Sequence, residues 1–344
     1  MYAIDKRESN RKTCLRALCV VLVIFLHQYA GDIGEAGFAA SGTIPANEML
    51  RGIQYIVSRI ITFSAVPLFF MLSSVLLYAR EFTWKSNMKK KLKSLILPYV
   101  LWITLYILVY FLGQTLPVTS GFFANAGRKV SEMGVIDFVG AYTGIGGNGL
   151  FVNAMWFLRD LIILNLLAPV IKKLIDRFPI FCLILIAILW NMGKIPDVLI
   201  LNRQSVVFFS LGYYIVKYQK RMKQIDDLPL SGMIAIYVLT IVLEFYFYKT
   251  GNELRMAAHS FSAIAGIIML IRVTGIICQS ENDGVPKVLQ TIAGYSFFIY
   301  ASHDFVQTMI KKITGKILPQ TDAVQMIEYL LIPIIVCAVC ICLA

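Results

Sequence analysis

Cys14-Leu-Arg16-Ala-Leu-Cys-Val-Val-Leu-Val-Ile-Phe-Leu-His27-Gln-Tyr-Ala-Gly31 decides the fold. The stretch is apolar enough to enter a bilayer, yet it carries an arginine and a histidine. Eleven residues separate the two, and at 3.6 residues per turn eleven steps rotate by roughly 1100°, three turns plus about 20°. Both side chains therefore leave the same face of a helix. At 1.5 Å per residue they stand roughly 16 Å apart along the axis, about half a bilayer core. Ionisable groups inside a membrane are costly and by default mark a site. An interfacial anchor would account for Arg16 alone, and a structural hydrogen bond would account for His27 alone. With only three histidines in the chain, the functional reading of His27 is preferred.

Composition extends this reading to the whole chain. The 344 residues are 58% hydrophobic and 15% charged, with a mean hydropathy of +0.72, which excludes an ordinary soluble domain. The net charge of +12 does not indicate nucleic acid. The excess lies in short clusters between apolar runs, as orientation signals do. Seven cysteines fall mostly within apolar runs. The pattern Cys337-x-x-Cys340-x-Cys342 lacks flanking histidines or acids, so small buried residues are expected there and no metal. The first apolar run has no small-residue cleavage site and reads as an uncleaved span.

Ten spans are predicted, at about 14–31, 56–79, 95–113, 153–171, 178–193, 199–216, 230–248, 257–277, 289–309 and 327–344. The fold class is thus all-α, a polytopic membrane helix bundle forming one domain over 1–344, with both termini cytoplasmic. Segments placed inside carry twice as many basic residues as those placed outside. The longest polar connection, 114–152, is placed outside. Within it Gly144-Ile-Gly146-Gly-Asn-Gly149 fits a phosphate-binding glycine pattern. It has no strand–helix unit around it and is read as a turn or lid.

Five stretches resemble one family in order along nearly the whole chain. These are the Arg16…His27 spacing, Pro67-Leu-Phe-Phe-Met-Leu-Ser-Ser74, the basic run Lys90-Lys-Leu-Lys-Ser-Leu-Ile-Leu-Pro98-Tyr, Met155-Trp-Phe-Leu-Arg-Asp-Leu161, and Tyr295-Ser-Phe-Phe-Ile-Tyr-Ala-Ser-His303. Together they are similar to the acyltransferase 3 family of integral membrane O-acyltransferases. The second stretch departs from the family pattern, with Ser74 in place of glycine and Val75 in place of an aromatic. The resemblance implies an acyl-CoA donor, acetyl-CoA foremost, and a carbohydrate or lipid-linked sugar acceptor at the cell (inner) membrane.

Chemistry is then assigned to residues. His27 suits a general base, taking a proton from an attacking hydroxyl. Asp160 and His303 are expected at similar depth to His27, roughly 6–10 Å below the outer surface. They join it as catalytic candidates, Asp160 as an acid that orients the ring. Arg16 lies toward the cytoplasmic mouth, where a guanidinium fork suits the donor's phosphates, and Arg159 is the second cofactor-binding candidate. Arg159 and Asp160 point about 100° apart on a helix and need not pair with each other. Arg16 and His27 should open onto one continuous, donor-sized cavity. The competing class is a multi-span secondary transporter, which would also hold His, Asp and Arg inside spans. Against it, the spans show no internal repeat.

Overall fold

A computed structural model describes residues 5–29, 47–80, 83–123, 128–191, 201–279 and 284–344. Among the described residues all regular structure is helical. The main elements are α1 (Lys6–Leu26), α2 (Glu48–Tyr78), α3 (Trp84–Thr115), α4 (Pro117–Phe123), α5 (Val135–Thr143) and α6 (Trp156–Arg177). They continue as α7 (Pro179–Asn191), α8 (Arg203–Lys217), α9 (Leu230–Thr250), α10 (Arg255–Ile277), α11 (Lys287–Gly294), α12 (Ser296–Ile317) and α13 (Asp322–Leu343). Among the described residues six helices are long and apolar enough to cross a membrane: α2, α3, α6 with its leading turn, α9, α10 and α13. Among the described residues, each of the ten apolar runs is mostly helical. However, α7 and α8, at 13 and 15 residues, fall short of the roughly 20 needed to span a bilayer core.

Three boundaries differ from the sequence expectation. The first helix starts at Lys6, well before Cys14, because Asp5 caps it, its carboxylate accepting the Glu8 N–H at 2.6 Å. It also ends early, at Leu26. The polar connection 114–152 is largely ordered into α4, α5 and a glycine turn.

α1 is the central element. It packs against α2, α10, α11, α12 and α13, and Cys14, Leu15, Ala17, Cys19, Val20 and Ile24 are fully buried. Its charged first turns are held by ion pairs. Arg11 donates to both oxygens of Asp226, at 2.7 and 3.1 Å, and Glu8 faces Lys12 and Arg221 at 3.3 and 3.1 Å. α12 runs parallel to α1, since His303 meets His27 and Lys311 meets the carbonyl end of α1. α13 runs back beside α12, with Cys340 at 3.2 Å from Ser302. Elsewhere the packing relies on close backbone approach. A Cβ at Gly212 of α8 would lie 2.6 Å from the Met71 carbonyl oxygen of α2.

The connection before α6 descends into the bundle, where Phe151 and Met155 are fully buried. Non-helical backbone at such depth needs protein partners for its polar groups. Arg128 donates to the carbonyls of Asn148, Gly149 and Leu150, Tyr99 to that of Tyr142, and Tyr300 to that of Ala154. The turn uses φ of +77°, +71°, +53° and +74° at Gly144, Gly146, Gly147 and Gly149, a region that side chains beyond hydrogen disfavour. Its glycines serve backbone shape.

Candidate active site

Carbonyls at the end of an α-helix run short of intrahelical donors, and at the end of α1 neighbouring helices supply donors to them. Gln307 of α12 donates to Ile24 O at 3.4 Å and Ser58 of α2 to Phe25 O at 2.6 Å. Lys311 of α12 donates to His27 O and Gln28 O at 3.4 and 3.2 Å. A cation here also complements the negative end of the helix. These bonds fix the position of His27, which closes α1 as its C-cap.

His27 then faces His303, with ring centroids 5.1 Å apart and the planes tilted by 54°. His303 is fully buried. Its Nδ1 lies 2.6 Å from Tyr300 O, one helical turn back. A carbonyl can only accept, so the proton sits on Nδ1 and Nε2 carries a lone pair. That Nε2 is buried and has no hydrogen-bond partner among the described residues. From His303 the rings continue to Tyr300 at 5.9 Å, then Phe157 at 5.5 Å, then Phe70 at 4.6 Å. Residues from four separate sequence stretches thus meet around one histidine pair.

α12 continues fourteen residues beyond His303, to Ile317, about 21 Å at helical rise. The C-terminal half of α12 therefore runs on past the site.

Asp160 stands apart from this pair. Its Oδ1 takes Arg159 Nε and Nη2 at 3.0 and 2.9 Å, and its Oδ2 takes the Asn202 N–H at 2.8 Å. It therefore ties α6 to the start of α8 and does not orient an imidazole. Helix geometry does not require Arg159 and Asp160 to pair, yet the long arginine side chain folds back onto its neighbour. Arg159 further packs against Gly144 and points to Thr143 O at 3.5 Å. It belongs to the glycine turn, while Arg16 sits eleven residues before His27, near the middle of α1.

Arg16 is exposed. Between it and His27 on the same face, Val20 and Val23 are 0% and 3% exposed. Among the described residues, the expected continuous cavity along that face is therefore closed by packed side chains. A cleft of about 640 Å³ between α2, α7, α8 and α10 is almost wholly apolar and includes none of the predicted site residues.

Sequence reasoning missed Ser58, Gln307, Lys311 and the pair Glu244–His259, whose Oε1 and Nδ1 lie 2.6 Å apart. His259 reads as interfacial from sequence, yet it is bound to a buried carboxylate. Glu244 carried its own signal, an acid within the apolar run 230–248. Among the described residues no cluster could hold a metal ion.

Residues 11–344 match the family described as an acyltransferase domain, acyltransferase 3. The succinoglycan biosynthesis protein ExoH of Rhizobium meliloti (strain 1021) is 22% identical over 312 residues, covering 87% of this chain and 79% of that protein. No solved structure matches.

Proposed function

The chain belongs to the acyltransferase 3 family and is a multi-pass membrane acyltransferase, and from that premise we propose an O-acyltransferase of the cell (inner) membrane that modifies a glycan. The donor is cytoplasmic acyl-CoA, acetyl-CoA foremost, and the acceptor is a hydroxyl of a cell-surface glycan or lipid-linked sugar. A relative named for succinoglycan biosynthesis supports a polysaccharide acceptor. Family membership displaces the transporter reading.

The observation that carries the mechanism is the His27–His303 pair, with a bare imidazole nitrogen inside the bundle. His27 acts as general base. It takes the acceptor hydroxyl's proton as the oxygen attacks the thioester carbonyl. The carbon–sulfur bond breaks, the ester forms, and the imidazolium returns the proton to the leaving thiolate. His303 presents its Nε2 lone pair to the same space and positions the acceptor hydroxyl or the His27 ring. Arg16, exposed near the middle of α1 and eleven residues before His27, binds donor phosphates. Asp160 and Arg159 hold the glycine turn and α8 in place.

Purified protein supplied with labelled acetyl-CoA and a glycan acceptor tests this reading. His27→Ala should abolish label transfer while expression and gel-filtration behaviour persist, and Arg16→Ala should raise the donor KM. Near-normal turnover of His27→Ala would remove it from the mechanism.

A further inference from the structure

Lys311 stands at the histidine pair with one of its donors unused. Its ammonium reaches His27 O and Gln28 O at 3.4 and 3.2 Å. An ammonium carries three N–H donors, and among the described residues it makes only these two bonds. Asp304 and Glu328 act on it through space, and neither forms an ion pair with it. A lysine within a membrane bundle is costly to keep and marks a site by default. Sealing the end of α1 does not require one. Ser58 and Gln307 hold the carbonyls of Phe25 and Ile24 with neutral groups.

Helical register explains why the ammonium is here. His303, Gln307 and Lys311 follow at steps of four on α12, so they form one stripe, and each meets the end of α1. Side chains on a helix lean toward its N-terminus, so the stem of Lys311 runs back along the stripe toward Gln307 and His303. Its charge lies close enough to act on the His27 ring. His303 and Gln307 are buried, whereas His27 and Lys311 are half-buried and keep part of their surface open. The open part of this polar cluster therefore pairs a base with a cation. Arg59 is the other cation that acts on the ring, and its guanidinium is engaged on Tyr29, 5.4 Å from the ring centroid.

The two carbonyl bonds hold the Lys311 ammonium in place before any substrate arrives. A donor fixed in this way stabilises developing charge without reorganising at the moment of reaction.

We propose that Lys311 is a catalytic residue of the acyl transfer, donating its third N–H to the carbonyl oxygen of the donor as negative charge forms there. The inference rests on the function proposed above and adds an oxyanion partner to the His27 base. The acceptor oxygen bonds to the thioester carbon, and the carbonyl π pair moves onto its oxygen, which accepts from Lys311. The proton stays on the lysine. As the carbonyl re-forms, the carbon–sulfur bond breaks and its electron pair leaves with sulfur. The thiolate then takes the proton that His27 removed from the hydroxyl. Lys311 begins and ends the cycle as an ammonium.

Lys311→Gln separates this role from capping, because glutamine keeps two N–H donors for the two helix carbonyls but lacks the charge and the third donor. In the labelled-acetyl assay its kcat should fall roughly hundredfold to thousandfold, with donor and acceptor KM within about twofold of the parent. Lys311→Arg restores charge and donors and should recover about tenfold or more of that loss. Unfolding by SDS titration should stay near the parent for both variants. A readout free of turnover uses His27→Ala, which holds the donor unreacted. The carbonyl stretch of isotope-labelled acetyl-CoA, followed by difference infrared spectroscopy, should move to lower frequency on binding. His27→Ala combined with Lys311→Gln should lose most of that shift. The inference is overturned if folded Lys311→Gln turns over within about threefold of the parent. A carbonyl stretch unmoved on binding to His27→Ala overturns it too, whether or not the glutamine variant folds. Absence of acyl transfer by the parent itself would instead overturn the proposed function, and this role with it.

Discussion

Asp226→Ala removes the carboxylate that holds the start of α1. Arg11 reaches it at 2.7 and 3.1 Å, Arg7 at 3.3 Å, and Arg272 at 3.9 Å. The side chains of Arg11 and Asp226 are only 2% and 12% exposed. Breaking a buried pair from one side costs about 3–5 kcal/mol, because the other charge is left uncompensated. Arg11 keeps Ile271 O at 2.8 Å and Thr274 Oγ1 at 3.5 Å, which moves the expectation to the lower end. The result is about 3 kcal/mol, or roughly a hundredfold in the folding equilibrium. Reversible unfolding by SDS titration in mixed micelles reads it directly. Arg11→Met should cost a similar amount, and Asp226→Leu combined with Arg11→Met should recover most of the loss, since removing both charges removes the desolvation cost with the attraction. If Asp226→Ala stays within about 1 kcal/mol of the parent, Arg11 is not a buried charge and the ion pairs do not fasten α1.

Three further perturbations follow from the site and its supports. His303→Asn keeps a donor for Tyr300 O at the Nδ1 position but loses the bare Nε2, and turnover should fall about tenfold to hundredfold in the labelled-acetyl assay, with donor KM little changed. Gly144→Ala places a side chain at φ +77° and against Arg159 Nη1, so the turn should become more protease-sensitive and lose roughly 1–2 kcal/mol or more, read by limited proteolysis and thermal unfolding. Gly212→Val drives α8 away from the Met71 carbonyl and should destabilise by about 1–3 kcal/mol in the same SDS titration.

The helical bundle was legible because apolar runs in a chain this hydrophobic have few other fates. What sequence could not supply was azimuth. Asp160 and His27 have comparable expected depths, but Asp160 turns to Asn202 and Arg159, whereas His303 turns to His27. Depth follows from counting residues; neighbours follow only from packing. The early start of α1 had a local signal in the Asp5 cap, masked by the charges around it, and the partner that lets Arg11 be buried lies 215 residues away. Arg59 and Glu244 differ from these. Each stands inside an apolar run, at 56–79 and 230–248, and the cost of an intramembrane charge marks both in the sequence itself. Arg59 lies only one turn into its run, where an arginine resembles an ordinary interfacial anchor, and that likeness masks its signal.

The spacing of Arg16 and His27 has a geometric consequence for the mechanism. Arg16, Val20, Val23 and His27 follow one another at steps of four, three and four, so they share a face of α1. The two valines are buried, which seals that face between a guanidinium at one end and the imidazoles at the other. On the proposed reading, an acyl group delivered from the Arg16 end reaches His27 only when the helices against this seam part, or along another face of α1. A seal of this kind keeps water from a thioester poised beside a base until the acceptor hydroxyl is in place. On that reading the donor path would be a gate in the packing of α1, opened when the helices against Val20 and Val23 part.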